Sequence, residues 1–90
     1  MPRGAPRLRT PDGKLNQLGA RVLKRRTDLG LTQDAVCARL VEVTEAAWNA
    51  DRREIFRIEA GRRTVTDLEV LALSKALTCA ANWLLNGDDS

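Results

Sequence analysis

The residues best placed to do chemistry in this chain are arginines. Arg52, Arg53 and Arg57 fall within one short stretch, and Arg62 and Arg63 follow it directly. A guanidinium presents a rigid fork of N–H donors that pairs with carboxylate, with phosphate, or with the O6 and N7 edge of guanine. Catalytic alternatives are poor. The sequence has no histidine, so Ser-His, Cys-His and His-metal arrangements cannot be built, and the two cysteines, Cys37 and Cys79, are too few for a closed zinc site. Carboxylates are present, but no third group converges on a pair of them. The expectation is a protein with no enzyme active site, no metal and no cofactor.

Whether these arginines form a functional surface or only a solvated face depends on what positions them. At about 100° per residue, Ile55, Ile58 and Glu59 share one side of a helix, and Arg53 and Arg57 lie one turn apart on the other. Arg52 and Phe56 flank one edge of that outer face and Glu54 the other. Asp51 and Glu54 stand in the D-x-x-E relation of a capping box, which opens the helix, and Gly61 closes it. Acidic residues here therefore serve as cap or face inward, and an inward Glu59 needs a cationic partner. A short helix with arginines projecting outward near its N-terminus suits the DNA major groove, where each bidentate Arg–guanine pair is worth about 1–3 kcal/mol of discrimination. Arg62 and Arg63 fall just past the helix end, where a loop would meet the phosphate backbone.

The elements around this helix read as an all-α bundle. Met1 to Gly13 holds all three prolines and no apolar periodicity, so residues 1–14 read as a flexible, basic N-terminal arm. Arg3, Arg7, Arg9 and Lys14 against Asp12 place the whole net charge of +3 there, and from Leu15 onward the charges cancel. Net charge is thus weak support for a nucleic-acid partner, and the arm reads equally well as an inert leader. Residues 15–90 form a single domain. Leu15, Leu18, Val22 and Leu29 give helix one its apolar face, and Gly30 stops it. Thr32 caps helix two, whose first turn could offer N–H groups at Thr32 and Gln33 to a phosphate. The stripe Val36, Leu40, Val43, Ala47 carries helix two to about Ala47, leaving Trp48–Ala50 as the turn. Thr66 to Glu69 repeats the capping signature and opens helix four, with Leu68, Leu71, Ala72 and Leu77 as its apolar face, Lys75 in its last turn, and Thr78 where a glycine is expected. Ala80 to Leu85 forms helix five, ended by Asn86-Gly87. No apolar run is long enough to cross a membrane, and the basic leader lacks the apolar region of a signal peptide. With two well-separated cysteines, read as buried reduced thiols, the expected location is the cytoplasm.

The runs LGLTQDAVCARL, IFRIEAGRR, VTDLEVLALSKAL and NWLLNG occur in that order, and the chain from Leu18 to Gly87 resembles the Xre/Cro/phage-repressor (CI-like) helix-turn-helix family. The resemblance implies a five-helix, lambda-repressor-like DNA-binding bundle whose third helix, about 52–60, enters the major groove. It implies base reading by Arg52, Arg53, Glu54 and Arg57, and backbone contact by Gln33, Arg62, Arg63 and Thr64, which joins Thr32 from the reading above. It also implies an ion pair between Arg26 and Glu59. The chain departs from the short members of the family in three places. About eight extra residues separate Leu40 from Ile55 and are read as a longer helix two. Thr78 and Ala80 replace a glycine and a capping serine. Phe56 occupies a position that is usually polar, and is read as packing on the lengthened helix two in preference to touching a thymine methyl.

The function expected is therefore a sequence-specific regulator of transcription, a repressor, bound to a double-stranded DNA operator; the alternative is a protein-interaction module such as the antitoxin subunit of a toxin–antitoxin pair. One short helix covers too little DNA for the preference a regulator needs, so a homodimer on a palindromic operator is expected. Trp83, Leu84 and Leu85 are adjacent and cannot all face one small core, which assigns Trp83 and Leu84 to the dimer interface.

Overall fold

The computed structural model describes residues 8–88. They form α1 (Gly19–Asp28), α2 (Gln33–Val43), α3 (Arg52–Glu59), α4 (Asp67–Ala76) and α5 (Ala81–Asn86), with no strand among the described residues. Local side chains set the starts. Thr32 accepts the Ala35 N–H at the head of α2, and Asp51–Glu54 and Thr66–Glu69 close reciprocal capping boxes on α3 and α4. Helix α1 opens later than its apolar pattern predicts, because the side-chain oxygen of Asn16 accepts the Gly19 N–H at 2.8 Å. No helix of the described residues is long and apolar enough to cross a membrane.

The first four helices end alike, with a left-handed residue and two backward hydrogen bonds. After α1, Gly30 (φ 70°) bonds to the Thr27 carbonyl and Leu31 to that of Arg26; after α3, Gly61 (φ 73°) and Arg62 bond to Ile58 and Arg57. Glycine takes this conformation without cost, but two helices manage without it. Thr78 (φ 49°) ends α4, and Glu45 (φ 51°) followed by Ala46 (φ 66°) ends α2. Helix α2 therefore stops at Val43, about one turn short of the expected Ala47, which is exposed. The extra residues are not added helix. They form a connector in which the Thr44 hydroxyl donates to the Leu40 carbonyl at 2.6 Å and accepts the Trp48 N–H at 3.0 Å.

Leu18, Val22, Val36, Leu40, Ile55, Ile58, Leu73, Leu77 and Leu84 are the buried centre, where α2 packs on α3 and α4, α1 on α3, and α5 on α4. Two expectations change. The inward face of α4 is Val70, Ala72, Leu73 and Ala76, while Leu68 and Leu71 are 73% and 51% exposed. Leu84 is fully buried within the protomer, so of the pair expected at a dimer interface only Trp83 keeps exposed surface. Cys37 and Cys79 are free and only half-buried; partial burial pushes both thiols up from their ordinary pKa. Of the expected arm, residues 1–7 lie outside the described residues, and Thr10 to Lys14 closes a hydrogen-bonded turn.

Helices α1 and α3 touch almost backbone to backbone at Gly19, where an added Cβ would overlap the Ile58 carbonyl oxygen and lie 2.9 Å from that of Glu59. Asn16 Nδ2 donates to the carbonyls of Ile58 (3.1 Å) and Arg63 (2.8 Å), and the Leu15 N–H reaches that of Gly61 at 2.8 Å. The chain before α1 is thus stitched to the exit of α3. Gly19→Ala is expected to lower stability by about 1–3 kcal/mol through overpacking. A urea titration checks this; an unchanged midpoint would mean that the helices separate freely at this point.

Candidate nucleic-acid interface

Half of the described arginines, Arg21, Arg25, Arg26, Arg39 and Arg63, are held against the fold. Arg25 Nε donates to the Leu77 carbonyl at 2.9 Å and Arg39 Nη1 to that of Ala76 at 3.0 Å, so two guanidiniums from other helices cover the last turn of α4. Arg21 does the same for α5, with Nε and Nη2 on the Leu84 and Leu85 carbonyls at 2.7 and 2.9 Å. These are carbonyls that a helix end leaves without a partner.

Arg26 and Glu59 are brought together as a bidentate pair, Nε to Oε2 at 2.6 Å and Nη2 to Oε1 at 3.1 Å, with side chains 14% and 6% exposed. The carboxylate raises the Arg26 pKa above its usual value. Gln33 Nε2 also donates to Glu59 Oε1, at 3.0 Å, so this residue of the expected backbone contacts is tied to α3 through its side chain.

Arg63 and Glu54 take roles other than those expected. The Arg63 guanidinium bonds both oxygens of Glu69 (2.9 and 2.7 Å), approaches Glu54 Oε2 at 3.3 Å and sits 5.7 Å from the Trp48 ring centre. It fastens the start of α4, the start of α3 and the connector to one another, and is not free for a phosphate. Glu54 is half-buried in that pair and in its capping box, and is not presented outward as a base reader. The Glu69 pKa is lowered, mainly by its hydrogen bond from Arg63.

What remains is a compact cationic surface. Among the described residues, the side chains of Arg53, Arg57 and Arg62 make no hydrogen bond or ion pair and are exposed. Arg52 has only a loose, exposed contact of 3.9 Å to Asp34. All four lie on α3 or immediately after it. Thr32, whose hydroxyl caps α2, and Thr64, in the exit loop, are exposed on either side. Gln33, Asp51, Arg52, Arg53 and Phe56 line a shallow hollow between the head of α2 and α3. Phe56 is 50% exposed there; with α2 ending at Val43 there is no lengthened helix for it to pack on. The internal roles of Asn16, Arg21, Arg25, Arg39 and Trp48 carried no local signal, because their partners lie far away in sequence.

The chain is similar in structure to two solved DNA-regulatory proteins. The P22 c2 repressor, in complex with a synthetic operator, matches with a TM-score of 0.66 and 29% identity over 81% of this chain and 98% of that one. The restriction-modification controller protein C.AhdI from Aeromonas hydrophila matches with a TM-score of 0.64 and 27% identity over 78% of this chain and 94% of its own. No protein-family model and no curated protein sequence matches.

Two stability measurements follow from the ion pairs. Glu59→Ala strands a partly buried Arg26 and is expected to cost about 1–3 kcal/mol, less than a fully buried pair would; an unchanged denaturation midpoint would show that the pair contributes nothing. Glu69, with its folded pKa depressed, contributes stability that is present above its ordinary value near 4.5 and fades as pH falls through its folded value. The stability gap between wild type and Glu69→Gln should therefore be full at neutral pH and shrink below about pH 4.5. A gap that stays constant with pH would show that the carboxylate charge is not what matters.

Proposed function

Because the chain belongs to the Xre/Cro/phage-repressor helix-turn-helix family, we propose that it is a regulator of transcription that binds double-stranded DNA with α3 in the major groove. The observation that carries this reading is the sorting of the arginines: among the described residues of the helical domain, those without an internal partner gather on α3 and its exit. Arg53 and Arg57, one turn apart and outward, read base edges, with Arg52 beside them at the rim. Arg62 and Thr64 meet the backbone on one side. On the other, Thr32 and the first-turn N–H groups of α2 meet a phosphate, and Gln33, held by Glu59, fixes where that helix end stands. Asp34 weakens attraction at that end, so its contact is the lesser one.

A helix of this length reads a few base pairs, so two copies on a palindrome, with half-sites about one helical turn apart, supply the remaining discrimination. Trp83 of α5 is the residue of the original pair still available near such a two-fold axis. Occupancy of the operator then represses by excluding polymerase.

Fluorescence anisotropy on a selected operator and on random duplex tests these roles. Arg53→Ala and Arg57→Ala should each cost about 1–3 kcal/mol on the operator and little on random DNA. Arg62→Ala should weaken both and lower the salt slope by about one, whereas Arg63→Ala should change stability and leave that slope alone. Equal losses on both DNAs for all four, or no binding at low salt, would sink the reading; a half-site bound as tightly as the palindrome would remove the dimer.

A further inference from the structure

Resting on the DNA-binding reading above, we propose that Phe56 determines specificity by placing its ring against the C5 methyl of a thymine in the major groove. On α3, projected at about 100° per residue, Arg52, Phe56, Ala60, Arg53 and Arg57 occupy one continuous outer arc, with Phe56 between Arg52 and Arg53. The exposures follow that projection: all four larger side chains are exposed, while Ile55 and Ile58 behind them are fully buried. Phe56 thus borders Arg53 on the face that would meet base edges. The ring stands at the edge of a hollow whose other walls are polar: Gln33, with its amide on Glu59, and Asp51, with its carboxylate on the Glu54 N–H.

The chemistry of that arc selects the partner. Phe56 has no donor or acceptor, so it gains nothing from guanine or cytosine edges and leaves their polar atoms unpaired. The major-groove edge of thymine carries the one apolar group on the floor of the groove, and the arginines around the ring supply the attraction to phosphate that brings it there. Phe56 is thus apolar by position, in a face whose other outward long side chains are cationic.

The test replaces each thymine of a selected operator singly by deoxyuridine, which lacks only the methyl group. At one position per half-site, wild-type binding should weaken about fourfold, the equivalent of about 0.8 kcal/mol for one methyl removed from contact. Phe56→Ser should bind the thymine and deoxyuridine forms of that site equally, and Phe56→Leu should retain part of the preference, with denaturation midpoints confirming that both variants fold. Wild-type binding insensitive to every replacement, or an unchanged preference in Phe56→Ser, overturns the assignment while leaving α3 as the reading helix. Failure to select any sequence overturns the DNA-binding reading, and this inference with it.

Discussion

Three helices meet at one carboxylate. Glu59 is the last residue of α3, where a negative charge opposes the helix dipole and burial removes its water. It is tolerated because Arg26 of α1 binds both its oxygens and Gln33 of α2 adds a third hydrogen bond. Arg26 also holds the Leu31 carbonyl at 3.0 Å, which fixes the turn from α1 to α2. Eight residues are too few to make α3 a stable helix alone. Its orientation comes from this junction, from the burial of Ile55 and Ile58, and from the close approach at Gly19. Everything proposed for its outer face depends on that inner one.

The outer face is defined by subtraction. Helix ends in a small all-α protein leave carbonyls without partners, and guanidiniums are long enough to reach them from a neighbouring helix. Arg21, Arg25 and Arg39 do so, Arg26 and Arg63 neutralise partly buried carboxylates, and the acids near α3 are held in caps or pairs. The unpaired arginines of the helical domain are therefore local. Residues 15–90 carry no net charge, yet α3 and its exit present four arginines with at most one loose contact.

The family resemblance and the fold class were readable in the sequence, and the two structural neighbours agree with both. The junctions were less so. Arg63 reads as a phosphate contact in the sequence because a basic residue in an exit loop carries no mark of its partners: Glu69 and Glu54 meet it once the exit loop turns α4 back beside α3, and Trp48 only when the connector folds back. Phe56 looked like a packing residue because the inserted segment was read as helix; once that segment turns away at Glu45, the ring stands in the open.

By itself the sequence determined what is local. Thr32, Asp51 and Thr66 start helices because a side-chain oxygen two or three residues away captures an N–H, and Gly30 and Gly61 end them because only glycine takes a positive φ without cost. Tertiary structure decided where local preference was silent or outweighed. It ended α2 and α4 on non-glycine residues, each at a cost of about 1–2 kcal/mol, because the chain must turn there to bury Ala50 and Leu84. It also chose the face of α4, which is apolar nearly all round. No periodicity could set that phase; packing against α2 and α5 turned Val70, Leu73 and Ala76 inward and left Leu68 and Leu71 in water.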